Sequence, residues 1–497
     1  MLLQMAAEAM GERVAVCCGD QALTYAELYA AACRAGRQFR AVGPRHVAYL
    51  DTAGLATPVT LFGAAAAGLP YVPLNYRLTT AELAALLARI EPCCLVAGGN
   101  HRPDFASRQG VHALGTDELI ATATAATQAA EPVVTEPGDM AVQLFTSGTT
   151  GQPKAAVLRH SHLVSYILGS VDFAAAGEEE AVLVTVPPYH IAGISALVSA
   201  TYAGRRVVLL PAFDPEHWLA LARAQRITHA FLVPTMLARV VELLQRQGAA
   251  QAGLPALRAL AYGGGKMPQS VIEAALRLFP GVDFTNAYGL TETSSTITLL
   301  GPDDHRAALA SSDPALRRRL ASVGRALPGV EIQIRDDAGR DLPPGEHGEV
   351  YVRGEQVSGE YVGKGSLLDA EGWFPTRDAG CLDTGGYLFL EGRADDIIVR
   401  GGENISPGEV EEVLLDHPAV AEAAVVGVPS EQWGEAVAAA VVTRPGETVD
   451  AQTLQRHVRD ALRSSRVPER ILFVEALPHN EMGKLLRRTI REWIAAA

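Results

Sequence analysis

The segment Leu144-Phe145-Thr146-Ser147-Gly148-Thr149-Thr150-Gly151-Gln152-Pro153-Lys154 runs from apolar residues through a loop of small, hydroxyl-bearing and glycine residues to a closing lysine. A loop of that kind turns several backbone N–H groups into one concavity, which suits polyphosphate oxygens. Its hydroxyls add donors, and Lys154 adds a mobile positive charge. A flexible polar turn is the plain alternative for any Gly/Ser/Thr loop. A Walker A loop is excluded, because that loop closes on Gly-Lys-Ser/Thr and here Gln152 follows Gly151. Of 42 basic residues, only Lys154, Lys266, Lys364 and Lys484 are lysine. Where arginine is the default, a retained lysine suits a site that needs a compact, flexible point charge; chance is the alternative for any one of them. The cysteines Cys17, Cys18, Cys33, Cys93, Cys94 and Cys381 form two vicinal pairs and two singletons. That spacing gives neither a zinc pattern nor a disulfide framework, and it fits a reducing, cytoplasmic setting.

The elements that must carry these residues follow from periodicity. Apolar residues recur at helical spacing in Tyr25 to Val42, Thr80 to Arg89 and Pro215 to Gln225. Between them lie short apolar or β-branched runs: Val47 to Leu50, Cys94 to Ala97, Ala181 to Val186, Val207 to Leu210 and His229 to Val233. Strands alternating with helices predict α/β layers around largely parallel sheets. From about Val330 the texture changes to short strands and Gly/Pro/Asp turns: Val330 to Arg335, Gly348 to Arg353 and Gly386 to Leu390 predict a small antiparallel region. After Arg393 comes a further unit with helices expected near Pro407 to Asp416, Ala451 to Leu462 and Leu485 to Ile494. Ala121 to Thr135 reads as a surface loop before the strand Met140 to Phe145.

With 497 residues the chain has room for two to four domains. Its 48% hydrophobic and 20% charged residues exclude a disordered or fibrous protein. The 56 acidic residues outnumber the 42 basic ones, for a formal charge of −14, and no basic stripe reverses that, which argues against nucleic acid as a partner. Ala53 to Leu74 is uncharged, but its Pro58, Gly63, Gly68, Pro70 and Pro73 argue for a buried helix and strand rather than a membrane span. Met1 to Met10 has no basic stretch ahead of its apolar residues, so no secretory signal is expected.

Seven further segments follow the phosphate-type loop in order: Asn286-Ala287-Tyr288-Gly289-Leu290-Thr291-Glu292, Val323 to Gly329, Gly348 to Gly354, Gly372 to Asp378, Gly392 to Asp396, Gly401 to Pro407, and Pro478 to Lys484. Together they resemble the signatures of the adenylate-forming superfamily: acyl-CoA synthetases, nonribosomal-peptide adenylation domains and luciferases. The resemblance implies a large N-terminal domain, residues 1–395, of layered α/β subdomains with a small β region. It also implies a mobile, small α+β C-terminal domain, residues 396–497.

It implies roles as well. In adenylation one anion attacks another, so pre-placed positive charge and alignment are the main catalytic needs. Lys484 is then the lysine that bridges the carboxylate and the α-phosphate. Thr146, Ser147, Gly148, Thr149, Thr150, Gly151 and Lys154 cradle the phosphates of ATP. Thr291 and Glu292 belong to the catalytic motif, and Glu292 with Thr149 offers the oxygen ligands that Mg2+ prefers. Tyr288, with Asn286 and Gly289, presents a flat face to adenine above Gly264 and Gly265, while Asp378 and Arg393 hold the ribose. The family's Thr-Gly-Asp reads Thr376-Arg377-Asp378 here, and Arg377 either points to solvent or touches phosphate. Asp396 stands at the family's hinge. Gly401, Gly402 and Glu403 then line the passage of the incoming thiol, with an ordinary hairpin turn as the plain reading of the two glycines.

Pro187 to Gly193 resembles the segment lining the acyl pocket, which brings in Tyr189 and His190, and Gly263 and Lys266 are assigned to the same pocket. Amino-acid-activating relatives carry an aspartate there, and Val182 to Leu209 has none, which disfavours a free α-amino acid. His190 is read as a gate to the carboxylate site rather than a metal ligand. Gly263, Gly264 and Gly265 leave room for a bulky or aromatic acyl group. Lys266 either meets a second carboxylate or polar substituent, or turns to solvent. The expected activity is an acid–CoA ligase of the AMP-forming kind, using ATP, Mg2+ and coenzyme A. The alternatives are a ligase loading the phosphopantetheine of an acyl-carrier protein and, last, a non-catalytic acyl-nucleotide binder. A monomer and an oligomer both fit the sequence.

Overall fold

The computed structural model describes residues 1–125, 131–146, 153–479 and 485–497, with the backbone alone for Asn404. The chain divides into two compact units, Met1–Glu331 with Arg353–Phe374, and Ile332–Val352 with Pro375–Ala497.

Two mixed sheets form the first unit. In one, Ala181–Val184, Arg206–Leu209, His229–Leu232, Ala259–Gly263 and Asp283–Leu290 run parallel, and Ser295–Leu300 turns back antiparallel against the last. In the other, His46–Leu50, Tyr71–Pro73, Cys93–Ala97, Val111–Gly115 and Met140–Thr146 run parallel, and Lys154–Arg159 returns antiparallel. Parallel strands buried on both faces explain the continuous apolar runs seen in the sequence. The helices start where local chemistry allows. Thr24 with Glu27 and Thr79 with Glu82 form capping boxes that satisfy the first free N–H groups of Tyr25–Ala41 and Thr80–Leu87. The uncharged Ala53 to Leu74 stretch is the buried helix Ala56–Ala67 and the buried strand Tyr71–Pro73. No described helix is long and apolar enough to cross a membrane.

One expectation fails. The stretch read as a loop from Ala121 begins inside a helix, Thr116–Ala125. Alanine is the best helix former. The hydroxyls of Thr122 and Thr124, instead of drawing the backbone into a turn, donate to the carbonyls of Glu118 at 2.8 Å and Ile120 at 2.7 Å, one helical turn back.

The second unit is α+β. A small sheet carries Phe374–Leu382 antiparallel to Leu388–Arg393. A larger one is built on the long antiparallel pair Val420–Ser430 and Gly434–Thr443, with Arg470–Phe473 parallel to the latter. The helices Pro407–Asp416, Ala451–Ala461 and Arg487–Ala496 cover it. Its core holds Ile398, Val410, Leu414, Val425, Val437 and Leu454, all fully buried.

Candidate active site

The phosphate-type loop joins two antiparallel strands. Thr146 and Lys154 face each other across the ladder that ends Met140–Thr146 and begins Lys154–Arg159. A Walker A loop opens a helix, so the hairpin agrees with its exclusion on sequence grounds. Ser147, Gly148, Thr149, Thr150 and Gly151 lie outside the described residues, as does Lys484.

Glu292 sits in a single 3₁₀ turn, Thr291–Thr293, at the end of the strand Asp283–Leu290. The backbone around this turn is tightly constrained. Ser294 and Ser295 both take positive φ, 57° and 114°, and a Cβ on Gly289 would lie 1.7 Å from the Ser295 carbonyl oxygen, so position 289 tolerates only glycine. The segment after Gly354 ties the turn down. The N–H groups of Ser358 and Gly359 donate to the Glu292 carbonyl at 2.8 and 3.2 Å, and the Gln356 amide donates to the carbonyls of Thr293 and Thr296 at 3.0 and 2.8 Å. The phenol of the buried Tyr361 donates to Glu292 Oε1, and Lys154 Nζ lies 5.7 Å from the centre of the same ring. The predicted metal carboxylate and the predicted phosphate lysine thus meet on one tyrosine. Sequence reasoning missed Tyr361 because the Gly348 to Gly354 signature stops short of Gly359-Glu360-Tyr361.

These donors fit Mg2+, which takes one or two carboxylates and leaves its other positions to substrate phosphate and water. Glu292 would supply one carboxylate, and among the described residues no cluster of three His, Cys, Asp or Glu side chains makes a protein-only cage.

Asn286 is buried and donates through Nδ2 to the Ser322 carbonyl at 3.0 Å, which orders the strand carrying Tyr288. Gly263 pairs with Ala287, and a Cβ there would come within 2.1 Å of the Ala287 carbonyl oxygen. Gly264, Gly265 and Lys266 follow on the exposed turn beyond the strand Ala259–Gly263. Lys266 is exposed there.

His190 precedes the helix Ile191–Ala203, and its ring lies 4.4 Å from that of the buried Tyr189. Tyr189 packs edge-on against Tyr76 at 5.5 Å, and the Arg77 guanidinium sits 5.6 Å from the Tyr76 ring. Burial, with a smaller contribution from Arg77, pulls the His190 pKa down to about 4. Its imidazole is neutral at neutral pH, able to accept or donate one hydrogen bond without attracting an anion.

In the second unit, Asp378 and Arg393 are register partners on adjacent strands, with Arg393 Nη1 3.2 Å from Asp378 Oδ1 and 3.0 Å from the Thr376 carbonyl. Thr376 is buried, donates to the Val350 carbonyl at 2.7 Å and accepts the Asp378 N–H at 3.1 Å. Arg377 between them has φ of +63°, the conformation that glycine adopts freely. Its N–H donates to Glu349 Oε1 at 3.2 Å, and its side chain, 65% exposed, lies 3.7 Å from the same oxygen. Burial raises the Glu349 pKa, and Arg377 partly offsets that.

Asp396 is held by two arginines of the helix Arg487–Ala496: Arg491 Nη2 at 3.0 Å from Oδ1 and Arg487 Nε at 3.6 Å from Oδ2. Gly401 and Gly402, φ 58° and 84°, make the two-residue turn between the antiparallel strands Ile398–Arg400 and Glu403–Ile405. A tight hairpin of this sort demands positive φ at both central residues, so the turn accounts for both glycines. Glu403 is paired with Arg466, whose hydrogen bond holds its carboxyl below the usual range.

Residues 3–362 match the family described as AMP-binding enzyme, and residues 409–484 match the AMP-binding enzyme C-terminal domain. The fatty acid–[acyl-carrier-protein] ligase ScoC of Streptomyces coeruleorubidus is 34% identical over 96% of the chain and 93% of its own length. A feruloyl-CoA synthase of Amycolatopsis is 33% identical over 95% of the chain and 94% of its own. Among solved structures, the o-succinylbenzoate CoA synthetase of Bacillus subtilis with its acyl-adenylate intermediate is 30% identical, with a TM-score of 0.86 over 99% of the chain and 97% of that one. The same enzyme with ATP and magnesium ion gives a TM-score of 0.84 at 30% identity over 99% of each chain.

Proposed function

The chain belongs to the adenylate-forming AMP-binding enzymes, and from that premise we propose that it is an ATP-dependent acid–CoA ligase for a bulky or aryl carboxylic acid. A carboxylate oxygen of the acid attacks the α-phosphorus of ATP, and the bond to pyrophosphate breaks. The thiol then attacks the acyl carbon, and AMP leaves with the electrons of the acyl–oxygen bond. The observation that carries this reading is the meeting of the Glu292 carboxylate, on the Tyr361 hydroxyl, and the Lys154 ammonium, over the Tyr361 ring, at one tyrosine. A metal-binding carboxylate and a phosphate-seeking cation at one point are what a nucleoside triphosphate requires.

In this reading Lys154 draws the outer phosphates, and Glu292 presents an oxygen to the cation. Bound Mg2+ neutralises the polyphosphate. Asp378 accepts from the ribose hydroxyls while Arg393 fixes its rotamer, Tyr288 covers adenine, and Lys484 offsets the charge that builds between the carboxylate and the α-phosphate. Neutral His190, backed by Tyr189, closes the carboxylate end of the acyl pocket without repelling or trapping the substrate. The similarity to feruloyl-CoA synthase and o-succinylbenzoate CoA synthetase supports an aryl acid, and the absence of aspartate from Val182 to Leu209 disfavours an amino acid. We assign residues 396–497 as the part that turns about Asp396 between the two half-reactions. Six free cysteines support a reducing, cytoplasmic setting.

A second reading, loading of a carrier-protein phosphopantetheine, is favoured by the similarity to ScoC. Mass spectrometry of products from a panel of acids, with ATP and either coenzyme A or a holo-carrier protein, separates the two. An aryl-CoA thioester is expected. Thioester on the carrier alone establishes the second reading, and no pyrophosphate with any acid overturns both.

A further inference from the structure

Glu292 is held twice by one short segment. Its backbone carbonyl takes the N–H groups of Ser358 and Gly359, and its side chain takes the phenol of Tyr361. That segment is in turn fastened to the strand carrying Lys154: Glu360 and Tyr361 pair with Val157 and Ala156, Ser358 Oγ donates to the Val157 carbonyl, and Arg159 forks onto the Glu360 carboxylate at 2.8 and 3.0 Å. Tyr361 stands where these ties converge. Its ring faces Lys154 at a distance where cation and ring attract, about 6 Å or less. Its hydroxyl engages Glu292 Oε1, and among the described residues no hydrogen bond engages Oε2.

We propose that Tyr361 is a positioning residue for adenylation: its phenol fixes the Glu292 carboxylate with Oε2 turned out for the metal of a metal–nucleotide complex, and its ring seats the Lys154 ammonium for the same phosphates. This rests on the reading of Glu292 as the metal carboxylate. A freely rotating glutamate would have to be ordered each time nucleotide and metal arrive. A glutamate already anchored through one oxygen avoids that cost, and charge-assisted hydrogen bonds are strong enough to hold it. Tyr361 itself touches neither substrate nor metal.

Tyr361→Phe keeps the ring and removes only the phenol. Binding of Mn2+ to the protein–ATP complex, followed by electron paramagnetic resonance in the absence of any acid, should weaken by about tenfold, the worth of one charge-assisted hydrogen bond. The Mg2+ concentration needed for half-maximal pyrophosphate release should rise in step, with kcat recovering at saturating metal. Thioester formation from pre-made acyl-adenylate, which needs no polyphosphate, should be unchanged. Tyr361→Leu, lacking the ring as well, should further weaken ATP binding measured without metal.

The double variant decides whether Tyr361 acts through Glu292. Glu292→Gln alone should weaken Mn2+ binding, and adding Tyr361→Phe to it should cost nothing more; full additivity of the two losses would mean that the phenol has only a general structural part. Wild-type metal affinity in Tyr361→Phe with a loss in Glu292→Gln overturns the positioning role alone. Wild-type metal affinity in Glu292→Gln overturns the reading of Glu292 beneath it.

Discussion

Arg377 shows what a single side chain costs when it stands where glycine is at ease. Its φ of +63° lies in the left-handed region, roughly 1–2 kcal/mol uphill for a residue with a Cβ. The exposed ion pair to Glu349 offsets little of that, since such pairs are worth about 0–1 kcal/mol. Arg377→Gly should therefore raise stability by up to about 1 kcal/mol, read as a higher Tm, whereas Arg377→Ala should not. A Tm for the glycine variant no higher than that of the alanine variant would refute the strain. The chemistry at Lys484 is a second matter of one residue. Lys484→Ala should lower pyrophosphate release by ~100-fold or more, because one charge is lost where charge develops. Thioester formation from supplied acyl-adenylate should be largely spared, and equal loss of both half-reactions would contradict a lysine that serves only one conformation.

Between residue and fold lie the elements that aim these groups. The hairpin Met140–Thr146 and Lys154–Arg159 presents Lys154, the turn Thr291–Thr293 presents Glu292, and the stretch from Gln356 to Tyr361 joins them. At the proposed hinge the turn Ala394–Asp396 is latched by Arg487 and Arg491 of one helix. Rotation about Asp396 has to carry or break those contacts, so the hinge carboxylate has a structural part beyond its backbone torsions. Asp396→Pro fixes φ near −65° and should leave pyrophosphate release intact while acyl transfer fails. Arg491→Ala, which frees the carboxylate without stiffening the backbone, should leave both half-reactions running. Unimpaired transfer in Asp396→Pro would remove the residue from the hinge.

Over the whole molecule, half-buried histidines contribute to the acid limit. Burial first, then Arg77 for His190 and Arg205 for His229, lowers both pKa values to about 4. Between about pH 6.5 and 4 the unfolded chain binds protons that the folded chain refuses, so stability rises with pH across that window and is lost as the pH falls through it. For His190 the loss amounts to roughly 3 kcal/mol at most. Thermal unfolding followed from pH 7 to 4 should show Tm falling through this window, with a shallower fall in His190→Asn. A variant with the wild-type slope would mean that His190 titrates normally.

The family and the layered α/β order were legible in the sequence, and Glu292, Lys154, Asp378 and Lys484 stood out there as candidates, because each is written in a short stretch with its own local reason. Glycines and hydroxyls closing on a lysine mark a candidate phosphate loop, and apolar periodicity marks helix and strand before any packing. The loop reading of Ala121 failed at that same local level, where alanine's helix propensity outweighed the threonines. Tertiary structure decided the rest. Tyr361 lies 69 residues from Glu292, and Arg491 lies 95 from Asp396. No local pattern links such residues; only strand pairing and helix packing bring them within hydrogen-bonding reach. The left-handed backbone of Arg377 is likewise imposed by its surroundings, where the buried Thr376 hydroxyl takes the Asp378 N–H and the neighbouring strand sets Asp378 against Arg393, against the preference of the residue itself.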